Sequence, residues 1–238
     1  VRSKRRKHVI FRQLFDPVSS TYTYLLAERA GGEALIIDPV KDRAEQYAKL
    51  IGELDLKLVM AVDTHIHADH VTALGDLRES TGCVTAMGEM TKAECVAVRF
   101  REGERLRADG ISLDVLYTPG HTDDSYSLVL PDRVFTGDTL LIRGTGRTDF
   151  QNGDPGAQYD SLFGKLLKLP EETLVYPAHD YNGMTVSSIG EEKRWNPRLQ
   201  VGGRVEYVDM MNGFAFDPPR LIDVAVPANQ HCGMRQAV

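Results

Sequence analysis

The sequence is poor in several features that would assign it to whole classes of protein. Only three of its 238 residues are cysteine, which predicts free thiols in a reducing compartment and excludes a cysteine-rich zinc site. No window approaches the roughly 20 apolar residues that span a bilayer, and no apolar run follows the basic start, so neither a membrane segment nor a secretory signal is predicted. Acidic residues outnumber basic ones, 34 to 28, which argues against nucleic acid as a partner.

The positions of the cysteines predict different environments for their side chains. Cys83 starts an apolar β run and Cys95 lies in a predicted helix, so both are expected to be small core residues. Cys232 lies in a tail rich in Gly and Pro and is predicted to be exposed and reactive.

The length and the 42% hydrophobic content predict one domain that covers residues 1–238. Residues 1–8 form a basic tail that is predicted to be solvated. Residues 197–238 are rich in Gly and Pro and are predicted to be irregular.

Strand and helix patterns alternate along most of the chain, which predicts an α/β protein with two sheets flanked by helices. The predicted helices are Asp42–Leu54, Val71–Thr81, Tyr159–Leu169 and Ser187–Trp195. The predicted strands are Phe11–Phe15, Thr21–Ala27, Ala34–Asp38, Leu58–Val62, Val84–Met87, Ile111–Tyr117, Tyr126–Leu130, Arg133–Thr136 and Leu174–Tyr176.

Four potential metal ligands follow directly after the predicted strand Leu58–Val62. They are His65, His67, Asp69 and His70, which lie within six positions of a chain that has only seven histidines. Side chains two apart on a strand face the same way, so the first two histidines can point together. A polar loop with incidental histidines is a poor explanation for this density.

Three further residues of ligand type each follow a separate predicted strand. His121 comes after Thr118-Pro119-Gly120, Asp138 after Thr136-Gly137, and His179 after Pro177-Ala178. Taken singly, His121 reads as a surface histidine and Asp138 as a helix cap. Taken together, they predict a metal-dependent enzyme whose ligands lie at strand ends.

This order of ligands resembles the metallo-β-lactamase superfamily, which implies an αββα sandwich with metal at the edges of the two sheets. Four segments further resemble the persulfide dioxygenases, with two departures, at Thr145 and at Asp123-Asp124-Ser125, that affect no ligand. The matching segments are Leu140–Gln151, Tyr176–Tyr181, Asn196–Leu199 and Val226–Asn229.

The number of metal ions has two interpretations. The ligands alone indicate two ions, one at His65, His67, His121 and Asp138, the other at Asp69, His70, Asp138 and His179. The family resemblance instead implies one Fe(II) per chain, bound by the facial triad of His65, His121 and Asp138. On that interpretation, which we favour, the side chains of His67, Asp69, His70 and His179 orient the ligands.

The resemblance also implies a reaction, in which glutathione persulfide, O₂ and water give glutathione and sulfite. Because glutathione carries two carboxylates, Arg143 and Arg147 are candidate substrate-binding residues, with structural salt bridges as the alternative. Tyr181 is a third candidate, with core packing as its alternative.

Partners and compartment are expectations at the family level. They comprise a homodimer, a rhodanese-like sulfurtransferase as the source of persulfide, no nucleic acid and no membrane. The compartment is the bacterial cytoplasm, or the mitochondrial matrix if the source is eukaryotic. The alternative function is a thioester hydrolase like glyoxalase II with two metals, disfavoured because the C-terminal region is poor in helix signals.

Overall fold

The computed structural model describes residues 9–215 and 217–234 and contains two six-stranded β-sheets. In the first sheet the strands lie side by side in chain order. They are β1 (Ile10–Asp16), β2 (Thr21–Ala27), β3 (Glu33–Ile37), β4 (Lys57–Val62), β5 (Val84–Gly88) and β6 (Val98–Phe100).

The second sheet has a mixed order, β14-β13-β10-β9-β8-β7, and a two-stranded ribbon of β11 and β12 accompanies it. Its strands are β7 (Arg105–Ala108), β8 (Ile111–Tyr117), β9 (Tyr126–Leu130), β10 (Arg133–Phe135), β13 (Leu174–Tyr176) and β14 (Ser187–Ser188). The ribbon strands are β11 (Leu140–Leu141) and β12 (Gly144–Thr145).

Six α-helices and three short 3₁₀ turns complete the described chain. The helices are α1 (Ala44–Glu53), α2 (Leu74–Thr81), α3 (Pro155–Gly164), α4 (Ile189–Trp195), α5 (Arg204–Asn212) and α6 (Ile222–Gln230). The 3₁₀ turns cover Lys41–Arg43, Leu166–Lys168 and Pro197–Leu199. None of the described helices is long and apolar enough to cross a membrane.

Three apolar clusters show how these elements are layered. Along β2, Tyr24 and Leu26 point into a cluster shared with the second sheet, whereas Leu25 and Ala27 point out toward α1 and α2. This is the alternation that a strand buried on both faces requires. A third cluster packs α3, α4 and α5 against the outer face of the second sheet. The predicted αββα sandwich is therefore confirmed.

The helices depart from their predicted limits in ways that local signals explain. Asp42 does not cap a helix but lies in a 3₁₀ turn. Helix α3 begins earlier than predicted, since the carboxylate of Asp154 accepts hydrogen bonds from the amides of Gly156 and Ala157. Helix α2 ends as predicted, at a Gly82 in the left-handed conformation.

The prediction of an irregular segment over 197–238 is wrong for its described part, which contains α5 and α6. Most of the Gly and Pro residues that suggested a loop flank these helices, although Pro227 lies within α6. Tyr207 and Met211 of α5 are buried in the third cluster, where the ring of Tyr207 packs against Tyr159 and Phe163 of α3. Tertiary packing thus stabilises a helix whose sequence signal is weak. The predicted basic tail, residues 1–8, lies outside the described residues.

The prediction of three free thiols is also wrong. Cys95 and Cys232 form a disulfide across 137 residues of sequence, and only Cys83 is free. Cys232, predicted to be exposed, is fully buried, and Cys95 lies in a loop rather than a helix. Cys83 is a core residue as predicted.

The disulfide makes stability depend on redox conditions. Replacing Cys95 with serine removes a constraint on a long loop of the unfolded chain, so we expect the free energy of unfolding to fall by about 2–3 kcal/mol. Denaturant unfolding with and without reductant measures this effect, and Cys83→Ala is the control. A wild-type midpoint that does not respond to reductant would contradict the prediction.

Candidate metal centre

The predicted ligands come together because several strands end at the same edge. Strands β8 and β10 both run antiparallel to β9, and β10 runs parallel to β13, so all three point the same way. The loops after them carry His121, Asp138 and His179. From the other sheet, the segment after β4 carries His65 to His70, and a bridge between Thr21 and His179 joins the two edges.

Three ligand atoms converge at the centre of this edge. Nε2 of His65 lies 4.0 Å from Oδ2 of Asp138, and Nε2 of His121 lies 3.5 Å from the same oxygen. The three ligand atoms all lie within 4.8 Å of one another. Two imidazoles and one carboxylate form the donor set of a facial triad.

Hydrogen bonds select the tautomer of both histidines. The hydroxyl of Thr64 donates to Asp38 at 3.1 Å, so it can only accept from Nδ1 of His65, which lies 3.0 Å away. Nδ1 of His121 donates to the carbonyl of Arg147 at 2.7 Å. Each ring therefore presents the lone pair of Nε2 toward Asp138, as a metal ligand must.

The charge states of the triad also suit a metal. Burial and the neighbouring His67 hold the pKa of His65 well below its usual value, so its imidazole is neutral. Burial acts to raise the pKa of Asp138. The histidines around it, of which His179 has the largest effect, outweigh burial and lower the pKa. The site thus offers a neutral imidazole at His65 and an ionised carboxylate at Asp138.

Two buried nitrogen atoms further indicate a ligand at this edge. Nδ1 of His67 and Nε2 of His70 are buried without a hydrogen-bond partner. An unpaired buried polar atom costs about 1–3 kcal/mol, so such atoms are rare unless a ligand or ion completes them. With the donor set above, this shows that the residues present fit a metal.

His179 lies between two carboxylates. Its Nδ1 is 2.7 Å from Oδ1 of Asp138 and its Nε2 is 2.8 Å from Oδ2 of Asp69. Burial acts to lower the pKa of His179, but these two carboxylates outweigh it and raise the pKa well above its usual value. His179 therefore holds Oδ1 of Asp138, which leaves Oδ2 directed at His65 and His121.

The remaining ligand-type residues form a second group beside the triad. His67, Asp69 and His70 also place their donor atoms within 4.8 Å of one another. Nε2 of His67 is 3.1 Å from Asp38, and Nδ1 of His70 is 3.0 Å from Asp69. All seven residues predicted for the metal site thus meet at one edge.

The predicted substrate-binding residues line a cavity of about 510 Å³ that opens from the triad. Tyr181 is 70% exposed and its ring stacks on His179 at 6.0 Å, so it is not a core residue. Arg147 borders the cavity while its guanidinium contacts both oxygens of Asp149 at 2.7 Å. Arg143 also borders it, but its guanidinium is bound to carboxylates of α4.

Two residues of the cavity were missed by the sequence analysis. Arg198 lines it and donates to the carbonyl of Thr145 at 2.6 Å. It belongs to the segment Asn196–Leu199, whose family match was the signal that could have found it. At Gly146 a Cβ atom would lie 2.2 Å from the carbonyl oxygen of Asp138, so only glycine lets the backbone pass this close to a ligand.

Comparison with known proteins identifies the class. The profile of the metallo-beta-lactamase superfamily matches residues 16–179, a span that runs from the end of β1 to the last predicted ligand. The matched span covers more than half of the chain and includes all seven ligand-type residues. The chain belongs to the metallo-β-lactamase superfamily.

More similar relatives narrow this to one branch. The mitochondrial persulfide dioxygenase ETHE1 of Mus musculus is 45% identical over 230 residues, which cover 95% of this chain and 90% of the relative. The Homo sapiens protein of the same name is 44% identical with the same coverage. The crystal structure of ETHE1 from Myxococcus xanthus is 53% identical, covers 94% of this chain and 100% of that one, and superposes with a TM-score of 0.91. Within the superfamily, the chain falls in the persulfide dioxygenase family.

Proposed function

We propose that this protein is a persulfide dioxygenase that converts glutathione persulfide, O₂ and water into glutathione and sulfite. The observation that carries the proposal is near-full-length identity of 44–45% to two persulfide dioxygenases. The convergence of His65, His121 and Asp138 supports it, because two histidines and one carboxylate are the donor set of non-haem iron oxygenases.

We infer that the cofactor is one Fe(II), with the triad as its protein ligands. When bound, Fe(II) supplies open coordination positions and the redox chemistry that joins oxygen to sulfur. The chain supplies the geometry: the carbonyl of Arg147 and the hydroxyl of Thr64 direct the two imidazoles, and His179 directs the carboxylate.

The contacts of His179 favour one metal ion over two. A second ion in the two-metal arrangement needs nitrogen from His179 and oxygen from Asp69. In this structure, both ring nitrogens of His179 lie within hydrogen-bond distance of carboxylates, and one of these is Asp69 itself. In this arrangement neither ring nitrogen of His179 is free for a second ion.

One argument against the alternative function, a glyoxalase-II-like hydrolase, no longer holds. It was disfavoured because the C-terminal region had few helix signals, yet α5 and α6 lie there. The same measurement separates the two functions. About one iron per chain in protein purified without air, with persulfide-dependent O₂ uptake, supports the dioxygenase. Two metals per chain with thioester cleavage and no O₂ uptake would support the hydrolase.

The substrate carboxylates are expected to bind on the cavity wall formed by Arg147, Arg198 and Tyr181. An arginine fork matches a carboxylate better than the point charge of lysine does. For Arg147→Lys we therefore expect KM to rise about ten-fold, equivalent to the loss of one charge-assisted hydrogen bond, with kcat little changed.

Steady-state O₂ uptake at varied glutathione persulfide measures both constants for Arg147→Lys. Asp149→Asn is the control, because it breaks the observed ion pair and leaves the arginine in place. An unchanged KM together with a lower melting temperature in both variants would assign Arg147 to the salt bridge alone. The homodimer, the sulfurtransferase partner and the compartment remain expectations at the family level.

A further inference from the structure

The C-terminal helix α6 contacts the metal-ligand segment through one buried side chain, Asn229. Its Nδ2 donates to the carbonyls of His67 and His70, at 2.8 and 2.9 Å. Its Oδ1 accepts from the amide of Thr72 at 2.8 Å. The residue is 2% exposed, so water does not compete for these bonds.

These contacts matter because the segment they hold has no regular structure of its own. Between the end of β4 and the start of α2, the chain forms bends, with a single isolated bridge at Thr72. Buried backbone groups outside helices and sheets need side-chain partners. One amide group supplies three such partners and thereby fixes the segment that carries the triad ligand His65 and, beside it, His67, Asp69 and His70.

Asn229 is itself held by the residues that follow it. Cys232 forms the disulfide with Cys95, and its carbonyl accepts from the amide of Gly75 at 2.9 Å. The carbonyl of Gln230 accepts from the amide of Glu94 at 3.0 Å. Within α6 itself, Ala225 and Asn229 are buried and Val226 is partly buried against the apolar cluster that contains Cys232.

We propose that Asn229 is a positioning residue of the metal centre and that the Cys95–Cys232 disulfide keeps it in place. The metal affinity of the site then depends on the redox state of two cysteines that are not metal ligands. The inference rests on the proposed function only in requiring that this edge binds a divalent metal.

Cobalt(II) titration of the metal-free protein, followed by visible absorbance, tests the first part. Asn229→Asp keeps the shape and the acceptor but loses both donations, and Asn229→Leu loses all three bonds. We expect cobalt to bind at least about ten-fold more weakly to both, with an altered absorption band, as for other residues that orient ligands. Ile51→Ala is the control for lost stability, because Ile51 lies in the apolar cluster that also contains Cys232. This variant should bind cobalt like the wild type.

Reduction of the wild-type protein tests the second part without any substitution. A phosphine reductant takes oxygen from water to become its oxide while Cys95 and Cys232 each gain a hydrogen. We expect cobalt affinity to fall on reduction and to be equally low in Cys95→Ala, on which the phosphine should then have no further effect.

Two outcomes overturn the proposal. One is a cobalt affinity in folded Asn229→Leu equal to that of the wild type. The other is a cobalt affinity of the wild-type protein that does not change on reduction. This second outcome remains measurable if Asn229→Leu does not fold. Failure of the wild type itself to bind cobalt would instead contradict the metal centre and the proposed function.

Discussion

Replacing Asp138 with alanine is expected to remove the metal and to lower persulfide-dependent O₂ uptake by more than about 100-fold, beyond the effect of residues that only orient ligands. A triad has no ligand to spare, and this carboxylate also holds His179, which would be left buried with one charged partner fewer. His65→Ala and His121→Ala should behave alike, since each removes one of the three converging donor atoms.

Metal analysis of protein purified without air, together with an oxygen electrode, measures both effects. His67→Ala is the matched control, because His67 is equally buried and lies two residues from a ligand. It should keep its iron while turnover changes. If His67→Ala loses metal as fully as His65→Ala, the three-ligand assignment is wrong.

Replacing Arg143 with alanine is expected to lower the free energy of unfolding by about 2–3 kcal/mol. Glu192 is fully buried, and the guanidinium of Arg143 is its cationic partner. Loss of the partner leaves a charge buried, although hydrogen bonds from Ser187 and Asn196 limit the cost.

Denaturant unfolding measures this loss, and Arg105→Ala is the control. Arg105 pairs with Asp114 where both side chains are more than half exposed, so its loss should cost less than about 1 kcal/mol. Adding Glu192→Gln to Arg143→Ala should restore part of the stability. If instead KM rises strongly while stability is unchanged, Arg143 binds substrate, as the sequence analysis allowed.

The strands show how much of the secondary structure the local sequence pattern predicts. Strands β2, β8, β9 and β13 have their predicted limits, because each is an apolar or alternating run bounded by turn residues. Strands β6, β7, β11, β12 and β14 were not predicted. They are two to four residues long, too short for an alternating pattern to stand out. Strand β13 is equally short, but its apolar residues run directly into Pro177, which marks its end.

The candidate site was predictable to the extent that its chemistry is concentrated in the sequence. His65, His67, Asp69 and His70 stand out because four ligand types lie within six positions. His121 and Asp138 carried little signal alone and were recognised through the family resemblance and their place after strands. The family match of Val226–Asn229 included Asn229, but nothing in the sequence indicated its contacts, which are with carbonyls some 160 positions away.

The sequence by itself determined which residues could bind a metal and which stretches would form strands, since both depend on residue type and on spacing within a few positions. Only the tertiary structure decided which atoms meet. It brought Cys95 to Cys232, Arg143 to Glu192 and His179 between two carboxylates. Contacts over such separations depend on how the sheets and helices pack, and no local pattern records that packing.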